Sequence, residues 1–78
     1  MNVTVRLHAT LRRPTPDGLQ NRVTLELDDP ATVALLLEAL AVENPDHVMV
    51  LIGTRRVEQD HLLQDGDEVN LFPPISGG

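Results

Sequence analysis

A single stretch of this 78-residue chain has helical periodicity, and the apolar segments flanking it alternate with period two. Val33, Leu36, Leu37 and Leu40 follow the spacing i, i+3, i+4, i+7, which lines apolar side chains along one helix face. Ahead of them, Asp28-Asp29-Pro30-Ala31-Thr32 offers cap residues, an acidic helix entrance and a proline that a first turn tolerates. Thr32 is the first choice of N-cap and Asp29 the second. Asn44-Pro45 disfavours continuation, so the helix is predicted to end before it. A chain this short makes one small domain with a modest core. Its one helix therefore has to lie across one face of a sheet.

The strands of that sheet are read from alternation. Asn2 to His8 places Val3, Val5 and Leu7 on one side and Asn2, Thr4, Arg6 and His8 on the other. Leu11-Arg12-Arg13 extends the strand irregularly, and Pro14 to Gly18 is a turn cluster. Arg22 to Asp28 alternates again, with Val23, Leu25 and Leu27 inward, which predicts an antiparallel hairpin with a long, mobile tip. His47 to Ile52 is apolar on both faces: Val48, Val50 and Ile52 on one, Met49 and Leu51 on the other. Such a strand is central, or its second face meets a partner. Gly53 to Arg56 turns the chain into a very short strand at Val57. Leu62 and Leu63, in the loop 59–64, are expected to plug the end of the core. Asp65-Gly66-Asp67 is a tight turn, and Glu68 to Phe72 is the last strand, with Val69 and Leu71 inward. The expected architecture is α+β: a four- or five-stranded mixed sheet with one helix on one face and the other face open.

The closing residues form a distinct segment. Pro73 and Pro74 fix φ and lack N–H donors, so a sheet ladder stops near Phe72. Pro73 to Gly78 then spans up to about 20 Å. Its Gly77-Gly78 end lacks side chains and can pass through a narrow gap. The division is a domain over 1–72 and a flexible tail over 73–78. The tail carries the α-carboxylate of Gly78 on a slim, uncharged arm, suited to entering another protein's active site. Phe72, the one Phe, Tyr or Trp of the chain, either closes the core at the strand end or anchors an interface beside Met49 and Leu51. Alternation favours the interface.

Composition excludes several chemistries. There is no cysteine, hence no disulfide, thiol nucleophile or cysteine metal site. His8, His47 and His61 lack ligand spacing, and no phosphate-cradling loop or nucleophile elbow occurs. Nothing assembles a catalytic centre, so an enzyme is not expected and no tightly bound cofactor is implied. A net charge of −6 disfavours nucleic acid, which demands neutralised phosphates. The same charge suits either docking on a basic protein surface or solubility alone. No apolar run reaches membrane-spanning length and no export signal is visible, which favours the cytoplasm.

The stretch Leu63-Gln64-Asp65-Gly66-Asp67-Glu68-Val69, followed by Phe72-Pro73-Pro74-Ile75-Ser76-Gly77-Gly78, resembles the carboxyl-terminal signature of the MoaD/ThiS ubiquitin-like sulfur carriers. Phe-Pro-Pro makes it most similar to the small subunits of molybdopterin synthases. The opening Val3-Thr4-Val5 and Thr10-Leu11-Arg12 are also similar to carriers serving cysteine biosynthesis. The resemblance implies a β-grasp fold over the chain and a carrier whose partners perform the chemistry. A ubiquitin-activating-type adenylyltransferase would use ATP and Mg²⁺ to adenylate Gly78, and a sulfur donor would convert it to a thiocarboxylate. The sulfur would pass to the large subunit of molybdopterin synthase or to another acceptor enzyme. By match to the motif, Gly77, Ser76, Ile75, Pro74 and Pro73 form the tail and Phe72 the partner anchor; Met49 and Leu51 join it by alternation. Two alternatives stand beside this: the same chemistry serving cysteine, thiamine, tRNA thiolation or conjugation to proteins, and a β-grasp interaction module with an inert tail.

Overall fold

The computed structural model describes residues 1–8, 11, 13–16 and 18–73. Its main sheet has five strands: β1 (Asn2–Leu7), β4 (Arg22–Glu26), β5 (Met49–Ile52), β6 (Arg55–Val57) and β7 (Glu68–Phe72). The strand order is β4-β1-β7-β5-β6. β1 runs parallel to β7, and the other pairs are antiparallel. One helix, α1 (Val33–Ala39), completes the β-grasp arrangement.

The expected inward residues make the core. Val3, Val5, Val33, Leu36, Val69 and Leu71 are fully buried, and Leu7, Leu37, Leu40, Val50 and Leu63 nearly so. Fully burying each such side chain contributes about 1.5–3 kcal/mol. The central pair β1 and β7 supplies the most deeply buried strand residues. On the edge strand β4, Val23 and Leu25 are only half-buried, because one flank lacks a neighbour.

Thr32 is the N-cap: its hydroxyl oxygen accepts from the Leu35 N–H at 3.2 Å. Asp29 and Pro30 lie ahead of the cap. The helix is shorter than expected. Ala41 takes a left-handed φ of 54°. Its N–H then donates to Glu38 O at 3.0 Å, and the Val42 N–H donates to Leu37 O at 3.1 Å. These are the paired bonds of a Schellman C-cap, which turns Val42 back onto the core. Such caps usually carry glycine, and an alanine gave no signal of a stop before Pro45. Pro45–His47 instead forms a separate 3₁₀ turn after Asn44.

Three other local expectations are corrected. Leu11 does not extend β1; its N–H donates to His8 O at 3.1 Å, and its side chain packs against the core. The turn expected over 14–18 is narrower: Pro16 lies in a turn, while β2 (Arg13–Thr15) pairs with β3 (Gly18–Gln20) in a small hairpin. Leu62 does not plug the core. It is 59% exposed, whereas Leu63 is buried. Thr32 and Leu62 form an isolated bridge, and in extended backbone successive side chains point to opposite sides, so only one of the two leucines can enter. Of the tail expected over 73–78, Pro73 is described; Pro74, Ile75, Ser76, Gly77 and Gly78 lie outside the described residues.

Candidate partner-docking face

The turn before β7 sets where the open face ends. Asp65 Oδ1 accepts from the Asn2 N–H at 2.7 Å, and the Gly66 N–H donates to Asn2 O at 2.8 Å. Asp67 Oδ2 accepts from the Gln64 N–H at 2.8 Å, while Asp67 O accepts from the Thr4 N–H at 3.0 Å. Gly66 holds φ at 87°, a left-handed value that favours glycine. Together these bonds staple the Asp-Gly-Asp turn to the start of β1. They set the parallel register in which Val5 meets Val69 and Leu7 meets Leu71.

That register composes the face opposite α1. Arg22, Arg6, Asn70, Leu51 and Arg56 fall in one row across all five strands. Met49 pairs with Phe72 in the next row. Met49, Leu51 and Phe72, singled out from the sequence, therefore do share one face, each half-buried. Their neighbours were not anticipated. Three of the six basic residues of the chain stand in the row with Leu51. That row is basic, and Glu68 and Glu26 stand on the same face in the neighbouring rows. Arg6 Nε donates to Glu68 Oε1 at 2.7 Å, a pair about half exposed at both ends, and such surface pairs contribute little.

His8 is the second unanticipated member. Its N–H donates to Leu71 O at 3.1 Å, continuing the ladder one step past β1. Its ring stacks on Phe72 with centroids 4.2 Å apart and planes 9° from parallel. Nε2 lies 3.1 Å from Asn70 Oδ1, so the Nε2–H tautomer donates there. Phe72 is held between strand and imidazole at the point where Pro73 leaves the sheet. The signal for this was present in the alternation, since His8, Asn70 and Phe72 are all outward residues. Their adjacency required the pairing of β1 with β7.

Among the described residues, no group of three or more His, Asp or Glu side chains is placed to hold a metal ion. No helix among them is long and apolar enough to cross a membrane. What the face offers is an apolar centre flanked by guanidinium groups, which is the chemistry of protein docking.

Comparison with known proteins bears on the family and the fold. The ThiS family model matches residues 5–78. The molybdopterin synthase sulfur carrier subunit of Escherichia coli is 45% identical over 40 residues, a match spanning 51% of this chain and 48% of that protein. The crystal structure of SAMP1 from Haloferax volcanii superposes with a TM-score of 0.77 at 28% identity, covering 100% of both chains. A protein in the complex of subunits 1 and 2 of molybdopterin-converting factor from Helicobacter pylori shares the fold, with a TM-score of 0.66 at 18% identity and full coverage of both chains.

Proposed function

Because this chain belongs to the ThiS family of MoaD/ThiS-type sulfur carriers, we propose that it carries sulfur as a thiocarboxylate on Gly78 for molybdopterin biosynthesis. The observation that carries this reading is the extent of the family match, which runs through residue 78 and so includes the Phe-Pro-Pro-Ile-Ser-Gly-Gly tail.

In this reading the activating adenylyltransferase docks on the face of Met49, Leu51 and Phe72, while Pro73, Pro74, Ile75 and Ser76 lead Gly77 and Gly78 into its active site. A Gly78 carboxylate oxygen attacks the α-phosphorus of ATP and expels pyrophosphate. The acyl-adenylate makes a poor electrophile reactive, because AMP is a good leaving group. Sulfide sulfur attacks the acyl carbon, AMP leaves, and the thiocarboxylate remains; with a persulfide donor, a thiol then cleaves the acyl disulfide. Mg²⁺ and the charge-stabilising groups belong to the partner. The Helicobacter pylori complex supports a large subunit as the next partner, since a protein of the same fold is found there with subunits 1 and 2 together.

A second reading has its own support. The Haloferax volcanii protein is a small archaeal modifier protein. A protein amine would then attack the acyl carbon of the same Gly78 adenylate, and AMP and a proton would leave as the isopeptide bond forms.

Intact mass after incubation with ATP, Mg²⁺, sulfide and the activating enzyme of the same genome tests both. A gain equal to one oxygen-to-sulfur exchange, absent after deletion of Gly77-Gly78 while the fold is retained, is the expected result. Adducts at the mass of a protein substrate in the cell lysate would favour the modifier. An unchanged carboxylate, under conditions that convert an established carrier, would overturn both and leave the inert-tail interaction module.

A further inference from the structure

We propose that the cleft between β1 and the start of β4 is a receptor for a carboxylate: an Asp or Glu side chain of the activating enzyme that docks on the open face. The cleft has a volume of about 410 Å³ and, among the described residues, is lined by Arg6, Leu7, His8, Asn21 and Arg22. It deepens the sulfur-carrier reading and rests on it.

Register makes the cleft unusual. Arg6 and Arg22 are direct cross-strand partners, with Cβ atoms about 5 Å apart in such pairs, where like charges destabilise. A chain of net charge −6 has twelve acidic side chains available, and none of them stands opposite Arg6 on β4. Arg6 is already tied to Glu68. Arg22 has no carboxylate partner among the described residues and is exposed. An anion entering the cleft relieves the Arg–Arg repulsion and supplies Arg22 with a counter-charge.

The lining chemistry selects the anion. Guanidinium forks grip planar carboxylates with two parallel hydrogen bonds. Asn21 adds a neutral amide at the rim. The strongly acidic body repels a polyanion such as nucleic acid, whereas a single carboxylate brought by a docking protein meets the guanidinium of Arg22 beside the Arg6–Glu68 pair. His8 belongs to the cleft wall and also stacks on Phe72. A carboxylate seated here is therefore one side chain away from the base of the tail, and its docking orients the partner's active site relative to Gly78.

The test is the thiocarboxylation assay with Arg22→Gln, Arg22→Lys and wild type at low and high NaCl. Arg22→Gln is expected to raise KM for the carrier about tenfold at unchanged kcat, the scale of a lost charge-assisted hydrogen bond. Its melting temperature should stay level or rise, because a like-charge contact is removed. Arg22→Lys should recover much of the loss, and the wild-type salt dependence of KM should flatten in Arg22→Gln. In parallel, NMR titration with acetyl-Asp-Glu-Asp-amide should move the Arg6, Arg22 and Asn21 side-chain signals. Inorganic phosphate should move them less. Wild-type conversion with unchanged KM in Arg22→Gln overturns this proposal while leaving the carrier reading intact. So does a lowered melting temperature that accounts for the loss, or a stronger response to phosphate than to the peptide. Absence of wild-type conversion overturns the carrier reading itself.

Discussion

His8 lies flat on Phe72, ring centroids 4.2 Å apart, and so braces the last strand residue before the tail. The imidazole is fixed in turn by Asn70 and by its own backbone bond to Leu71. Replacing His8 by Ala should cost about 0.5–1.5 kcal/mol, the usual worth of an aromatic pair, and should lower the rate of the proposed Gly78 thiocarboxylation further than stability alone explains. His8→Phe should restore both, because it keeps the stack. Urea denaturation and the mass-based conversion assay measure the two effects separately; an Ala variant with wild-type conversion would show that the brace does not serve the tail.

Ala41 is an exposed alanine held at φ 54° by the helix C-cap. The left-handed conformation costs a non-glycine residue about 1–2 kcal/mol, part of which glycine returns as greater freedom of the unfolded chain. Ala41→Gly should therefore stabilise the domain by about 0.5–1 kcal/mol, read as a higher urea midpoint with an unchanged m-value.

Gly66 presents the reverse case at φ 87°. A Cβ there would meet open space, with no heavy atom within 4 Å, so the penalty of Gly66→Ala is backbone strain rather than collision. A loss of about 1–2 kcal/mol is expected. Asp65→Ala, which removes the acceptor of the Asn2 N–H, should cost about 0.5–1.5 kcal/mol. Thermal unfolding checks both; equal stability of Gly66→Ala and wild type would mean the turn adopts another conformation.

Leu36 and Leu62 separate core from surface. Leu36 is fully buried and Leu62 is 59% exposed. Leu36→Ala should lose about 2–5 kcal/mol, enough to threaten the fold of so small a domain. Leu62→Ser should stay within about 0.5 kcal/mol. A large loss on Leu62→Ser, measured by chemical denaturation, would contradict the outward orientation of that side chain.

Alternation and helical spacing are properties of the local backbone, and they sufficed wherever one face of an element had to be buried. The inward residues Val3, Val5, Leu7, Val69 and Leu71, the helix stripe Val33-Leu36-Leu37-Leu40 and the Thr32 cap were all legible in this way. So was the outward placement of Met49, Leu51 and Phe72, because period two leaves no other choice once Val50 and Leu71 are inside. Local patterns carry no information about which strands become neighbours. The parallel pairing of β1 with β7, stapled by Asp65, Gly66 and Asp67, brought His8 onto Phe72 and aligned Arg22, Arg6, Asn70, Leu51 and Arg56 in one row. The choice of Leu63 over Leu62 for the core was likewise settled by long-range contacts with Ala31 and Thr32, whereas the early stop of the helix rests on the local bonds of Ala41 and Val42 to Glu38 and Leu37. Burial is decided by what lies across the fold, and a residue's own neighbours in the chain do not specify that.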